Sequence, residues 1–210
     1  MLNKNQISIL RKHTPVPEPI PEDYCLYFSS DGYIAIDDLS QFLDYRIDFQ
    51  MDIEFNVKQF PSSGYAWLWN SCFDTSNNMI GTAVNGTNLY VQIDKGSGDK
   101  SELMIPFTEA NKWFQLSVKM DRDVFSSTLN SEPLVINNEP RLHLPDTFGF
   151  KIASNTALLE SLDGSVDNIL LTDLRNPIAQ YPLITGEGTT AQDVISHYDG
   201  TILNGEWQVR

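Results

Sequence analysis

The chain has 210 residues, a net charge of −14 and a pI near 4.4. Such acidity excludes nucleic-acid binding as a leading function, because that affinity comes from cations that release counterions from phosphate. Hydrophobic residues at 41% and charged residues at 20% fit one sizeable folded core, and no apolar run reaches the roughly 18 residues of a membrane helix.

The first 13 residues hold Lys4, Arg11 and Lys12 and no acid, a charge of +3 against −17 for the rest. With Ile7, Ile9 and Leu10 they read as a partner-binding arm, and they lack the apolar core of a signal peptide. Residues 14–22 contain four prolines, which favour extended polyproline II and a stiff spacer. The folded body is expected from residue 23 onward.

From Tyr24 the pattern is β. Short apolar or alternating runs cover 24–28, 33–36, 46–57, 65–69, 79–84, 88–93, 102–106, 113–120, 124–129, 148–153 and 166–171. Turn chemistry separates them at Ser30-Asp31-Gly32, Asn85-Gly86, Lys95-Gly96-Ser97-Gly98 and Asp163-Gly164. No helix longer than a turn or two is expected, and 38–44 and 191–198 are the best candidates for one. This spacing of strands predicts an all-β, antiparallel fold, a two-sheet sandwich or a jelly roll. Cys25 and Cys72 match no metal spacing and no disulfide framework, so free thiols are expected, with a single bridge as the alternative.

Along 46–57, alternation puts Phe49, Met51, Ile53 and Phe55 on one face and Asp48, Gln50, Asp52 and Glu54 on the other. Tyr65, Trp67 and Trp69 fall at i, i+2 and i+4 of a strand. They read either as core or as a flat row on which sugar rings could stack. Clustered oxygens at Asp31, Asp37 and Asp38, and at Asp163, Asp167 and Asn168, are the candidate metal ligands. His13, His143 and His197 have no zinc spacing, and no phosphate loop, nucleophile elbow or dinucleotide fingerprint is present.

Three segments carry a resemblance. Leu26-Tyr27-Phe28-Ser29-Ser30-Asp31-Gly32-Tyr33-Ile34-Ala35-Ile36 resembles the opening hairpin of the laminin-G-like, concanavalin-A-like jelly rolls. Trp113-Phe114-Gln115-Leu116-Ser117-Val118 resembles their central strand, with Phe114 in place of the usual His. Leu162-Asp163-Gly164-Ser165-Val166-Asp167-Asn168-Ile169-Leu170-Leu171 resembles their closing strand. The tract 179–207, with Asp193, Asp199-Gly200 and Trp207, resembles one that usually precedes such a domain and is common in bacteriophage virion and tail proteins. Here it comes last, as in a circular permutation. The expected division is a 1–22 arm and spacer, a 23–176 body, and 177–210 as strands completing the sandwich.

The resemblance implies a non-enzymatic phage virion component, a capsid decoration or tail module. It would be anchored by its arm to other virion proteins or to copies of itself and assembled in the host cytoplasm. The alternative is a lectin-like module for host or glycan attachment. Calcium is the wider family's usual ligand and the candidate cofactor. Gln50-Met51-Asp52-Ile53-Glu54 also resembles the Glu-x-Asp-x-Glu motif of laminarinase-like glycosidases. Gln50 stands where the nucleophilic carboxylate belongs, and an amide cannot form the glycosyl ester, so a hydrolase is the last expectation.

Overall fold

A computed structural model describes residues 23–36, 39, 48–72, 78–95, 100–121, 124–138, 149–154 and 161–210. The arm, with Lys4, Ile7, Ile9, Leu10, Arg11 and Lys12, lies outside them, as do Asp37, Asp38 and His143. Among the described residues there is no α-helix, and every pairing between strands is antiparallel.

One layer contains β3 (Ala66–Cys72), β4 (Asn78–Asn85), β5 (Asn88–Lys95), β6 (Lys100–Pro106) and β10 (Phe150–Ile152), in the order β6-β5-β4-β3-β10. The other contains β2 (Phe49–Val57), β7 (Trp113–Asp121), β8 (Val124–Leu129), β9 (Glu132–Asn138) and β11 (Gly164–Thr172), in the order β11-β2-β7-β8-β9. β12 (Pro177–Tyr181) adds to β11. β1 (Tyr24–Ala35) joins the layers, pairing β11 through Leu26↔Val166 and β10 through Ile34↔Ile152. β14 (Gly200–Val209) runs along β1 from Tyr24↔Val209 to Ala35↔Thr201, and β13 (Thr190–Ala191) pairs β14.

The core lies between the layers. Met51, Ile53 and Phe55 of β2 and Leu116 and Val118 of β7 meet Trp69, Ile80, Val84, Leu89 and Val91 in one cluster. Phe55, Phe107 and Phe114 pack ring on ring, with centroids 4.8–5.7 Å apart. β2 alternates buried and half-buried throughout, as its sequence predicts.

Three expectations need correction. The turn at Ser30-Asp31-Gly32 is a bulge inside the continuous strand β1, with the register against β14 shifting between Phe28 and Tyr33. A Cβ on Gly32 would stand 2.6 Å from the Asn204 carbonyl oxygen, so only glycine lets the strands approach there. Residues 191–198 hold a β-bridge strand and a turn at 194–196 rather than a helix. The Asp193 carboxylate takes the backbone N–H groups of Ile195, Ser196 and Tyr198 at 3.0 Å, satisfying locally the donors a helix would use. β9 was not expected. It follows a turn in which Asn130 and Ser131 both have positive φ, 50° and 69°, a hairpin geometry usually marked by glycine. Asn85-Gly86 does open the hairpin from β4 to β5, with Gly86 at φ 57°.

Candidate functional site

The outward face of β2 carries Gln50, Asp52, Glu54 and Asn56, all half-buried. Register fixes their neighbours. Asp52 lies opposite Ser117 of β7, and Ser117 opposite Thr128 of β8. Glu54 lies opposite Gln115 on one side and Asp167 of β11 on the other. A bulge between Asp167 and Leu170 puts Asn168 at φ 43° and brings its side-chain amide to Glu54 Oε1 at 3.3 Å.

All of these but Asn56 and Asp167 line a depression of about 430 Å³, with Gln180 and Ser131 among its walls. Its hydrogen bonding is polarised. The Gln50 amide donates to both Asp52 oxygens, at 3.0 and 2.9 Å, and the Gln115 amide donates to Glu54 Oε1 at 3.3 Å. A second depression of about 230 Å³ adjoins it at the Asn56–Trp113 row, walled by Tyr27, Lys58 and Arg210.

Arg210 stands at the junction. Its guanidinium contacts Glu54 Oε2 at 2.7 Å and Asp167 Oδ2 at 3.0 Å, and lies 4.2 Å over the Trp113 ring. Burial opposes the Glu54 charge, but the amides of Asn168 and Gln115 and the Arg210 guanidinium outweigh it and hold the carboxyl below its ordinary range. Asp167 behaves oppositely. Burial, aided by the nearby Asp23 and Glu54 charges, pushes it up to about 6, although the Asn168 N–H and Arg210 pull it down.

The residues expected to act as a site are distributed differently. Trp67 and Trp69 are 3% and 0% exposed, so the 65–69 row is not an open platform for sugar rings. The register against β4 shifts between them, which lets Trp69 stack on Phe150 at 5.9 Å inside the core while Trp67 leans on half-buried Tyr65. Among the described residues, the candidate metal-binding aspartates each have a separate partner. Asp31 accepts from the Asn204 amide at 3.3 Å, Asp163 from the Tyr27 hydroxyl at 2.9 Å, and Asp167 from the Asn168 N–H at 2.7 Å. Among the described residues no three His, Cys, Asp or Glu side chains gather as a metal set. Cys25 is a buried free thiol. Gln115 and Arg210 had no place in the sequence-based site, and Asn168 stood there only as a candidate metal oxygen, because register, a long-range ion pair and a bulge bring the three to Glu54.

No family model matches the chain, and no curated protein matches it. Solved structures do. Mouse laminin α1 chain domains LG4–5 align over 80% of this chain and 49% of theirs, with 10% identity and a TM-score of 0.58. A Bacteroides ovatus protein assigned as carbohydrate binding aligns over 91% of this chain and 61% of its own, with 13% identity and a TM-score of 0.61. The Ruminococcus gnavus IT-sialidase CBM40, bound to α2,3-sialyllactose, aligns over 60% and 76%, with 10% identity and a TM-score of 0.52. The chain thus spans about half and three fifths of the length of the first two. At these identities the likeness is one of fold, and the fold is the jelly roll.

Proposed function

We propose that this chain is a non-catalytic, lectin-like carbohydrate-binding module whose site is the depression on the β11-β2-β7-β8 face. The observation that carries the reading is the set of planar amides and carboxylates there, Gln50, Asp52, Glu54, Gln115 and Asn168, beside the hydroxyl of Ser117. Amides donate and accept and carboxylates accept in pairs, which matches the adjacent hydroxyls of a sugar ring. A volume of about 430 Å³ is of the size that holds a small ligand, about 300–1,000 Å³. The carbohydrate-binding neighbours on the same fold support it.

The same geometry argues against hydrolysis. Gln50 and Glu54 occupy the two ends of the glycosidase-like motif in the depression, but Gln50 has no carboxylate to attack with. A general acid needs a raised pKa, and Glu54 is lowered by Arg210 and two amides. The virion placement rests on the resemblance of the C-terminal tract and on residues 1–22, which lie outside the described residues.

The test is a printed glycan array probed with the whole chain and with Asp52→Ala and Gln115→Ala. At least one glycan class binds the wild type, and each variant loses about tenfold in affinity, the worth of one good hydrogen bond. Binding that neither substitution changes would place the site elsewhere. Reducing ends released from any bound glycan would contradict the non-catalytic reading.

A further inference from the structure

Resting on that reading, we infer that the depression selects uncharged hexose glycans and rejects glycans carrying carboxylate or sulfate groups. The charge around it is one-sided. Arg210 offers one positive charge and meets two carboxylates, Glu54 at 2.7 Å and Asp167 at 3.0 Å, so the trio stays net negative. Asp52 adds a second uncompensated charge, since its partner is the neutral Gln50 amide. Lys119, opposite Gln50 on β7, is paired with Asp121 at 2.9 Å. The remaining lining is neutral, from Gln115, Ser117, Thr128 and Asn168.

A sugar hydroxyl suits this surface because it donates to a carboxylate and accepts from an amide at the same time. The ionised carboxylate or sulfate group of an acidic glycan cannot donate. It meets Asp52 as a like charge inside a half-enclosed depression, where screening by water is weaker than at an open surface. The overall charge of −14 repels such ligands at longer range as well. Two like charges at about 4 Å cost about fivefold in affinity even under water-like screening, and more when part of the water is displaced.

The test compares neutral hexose oligosaccharides with their uronate, sialylated and sulfated counterparts on one array, at low and high salt. The wild type binds neutral members, and each acidic counterpart binds about fivefold or more weakly, with the gap narrowing in high salt. Asp52→Asn narrows the gap. Ser117→Asp, which adds a carboxylate directly opposite Asp52, widens it. Acidic glycans bound as tightly as neutral ones, or a gap that neither substitution moves, would overturn the inference while leaving a glycan site in place. Binding of no glycan at all would remove the site, and the proposed function falls with it.

Discussion

Arg210 holds Glu54 at 2.7 Å, so the residue that follows β14 is clamped to the middle of β2. The same guanidinium reaches Asp167 and the Trp113 ring. Three strands of the polar face, β2, β7 and β11, are thereby tied to the C-terminal strand.

Replacing Arg210 by Ala leaves Glu54 and Asp167, whose side chains are 14% and 5% exposed, without their cation. Destabilisation of about 1–3 kcal/mol is expected, between the values for exposed and buried pairs. Urea unfolding measures it. Adding Glu54→Gln to Arg210→Ala recovers part of the loss, because it removes one stranded charge.

Asp167 sets a pH dependence of unusual sign. Its carboxyl is pushed up to about 6 in the folded chain from an ordinary 3.8. Between about 4 and 6 the folded state therefore binds more protons than the unfolded one, and this group's contribution to stability falls as pH rises through that window. Asp167→Asn abolishes the titration. The stability of the variant relative to wild type should rise by about 1–3 kcal/mol from pH 4 to pH 7, read by denaturant melts at each pH. A difference that stays flat contradicts the raised Asp167.

Asp193 works the other way. Its carboxylate accepts the N–H groups of Gln180 at 2.8 Å and of Ile195, Ser196 and Tyr198 at 3.0 Å. Burial opposes its charge, but these four donors win and hold the carboxyl below its ordinary range. Its contribution is present above the ordinary carboxylate range and is lost as pH falls through the depressed value. Asp193→Ala should cost about 2–4 kcal/mol at neutral pH, since several buried donors lose their acceptor. Asp193→Asn, which keeps one acceptor oxygen, should cost less.

β14 covers β1 over most of its length, from Tyr24↔Val209 to Ala35↔Thr201, and Trp207 anchors it by donating its Nε1–H to the Gly188 carbonyl at 2.9 Å. Removing residues 200–210 exposes an apolar strand edge, so the shortened chain should aggregate where the full chain stays dispersed. Sedimentation of the two side by side decides it.

How far the sequence discloses these features depends on the range of the interactions. The alternation of β2 and the Asn85-Gly86 turn are local, and both were legible. β9 was not, because Asn130-Ser131 builds a positive-φ turn without glycine. The aromatic row at 65–69 obeys strand spacing on paper, but a register shift against β4 carries Trp69 into the core. Gln50, Asp52 and Glu54 could be placed on one face from sequence. Their neighbours Gln115, Asn168 and Arg210 could not, since pairing with β7, the β11 bulge and a distant ion pair supply them.

The most direct measurement of the central claim follows the side-chain amide resonances of the chain by NMR while a neutral oligosaccharide taken from the array is added. The amides of Gln50, Gln115 and Asn168 line the depression, so they should shift together and saturate with one affinity. Shifts confined to residues away from the β11-β2-β7-β8 face, with these three unmoved at saturation, would contradict it.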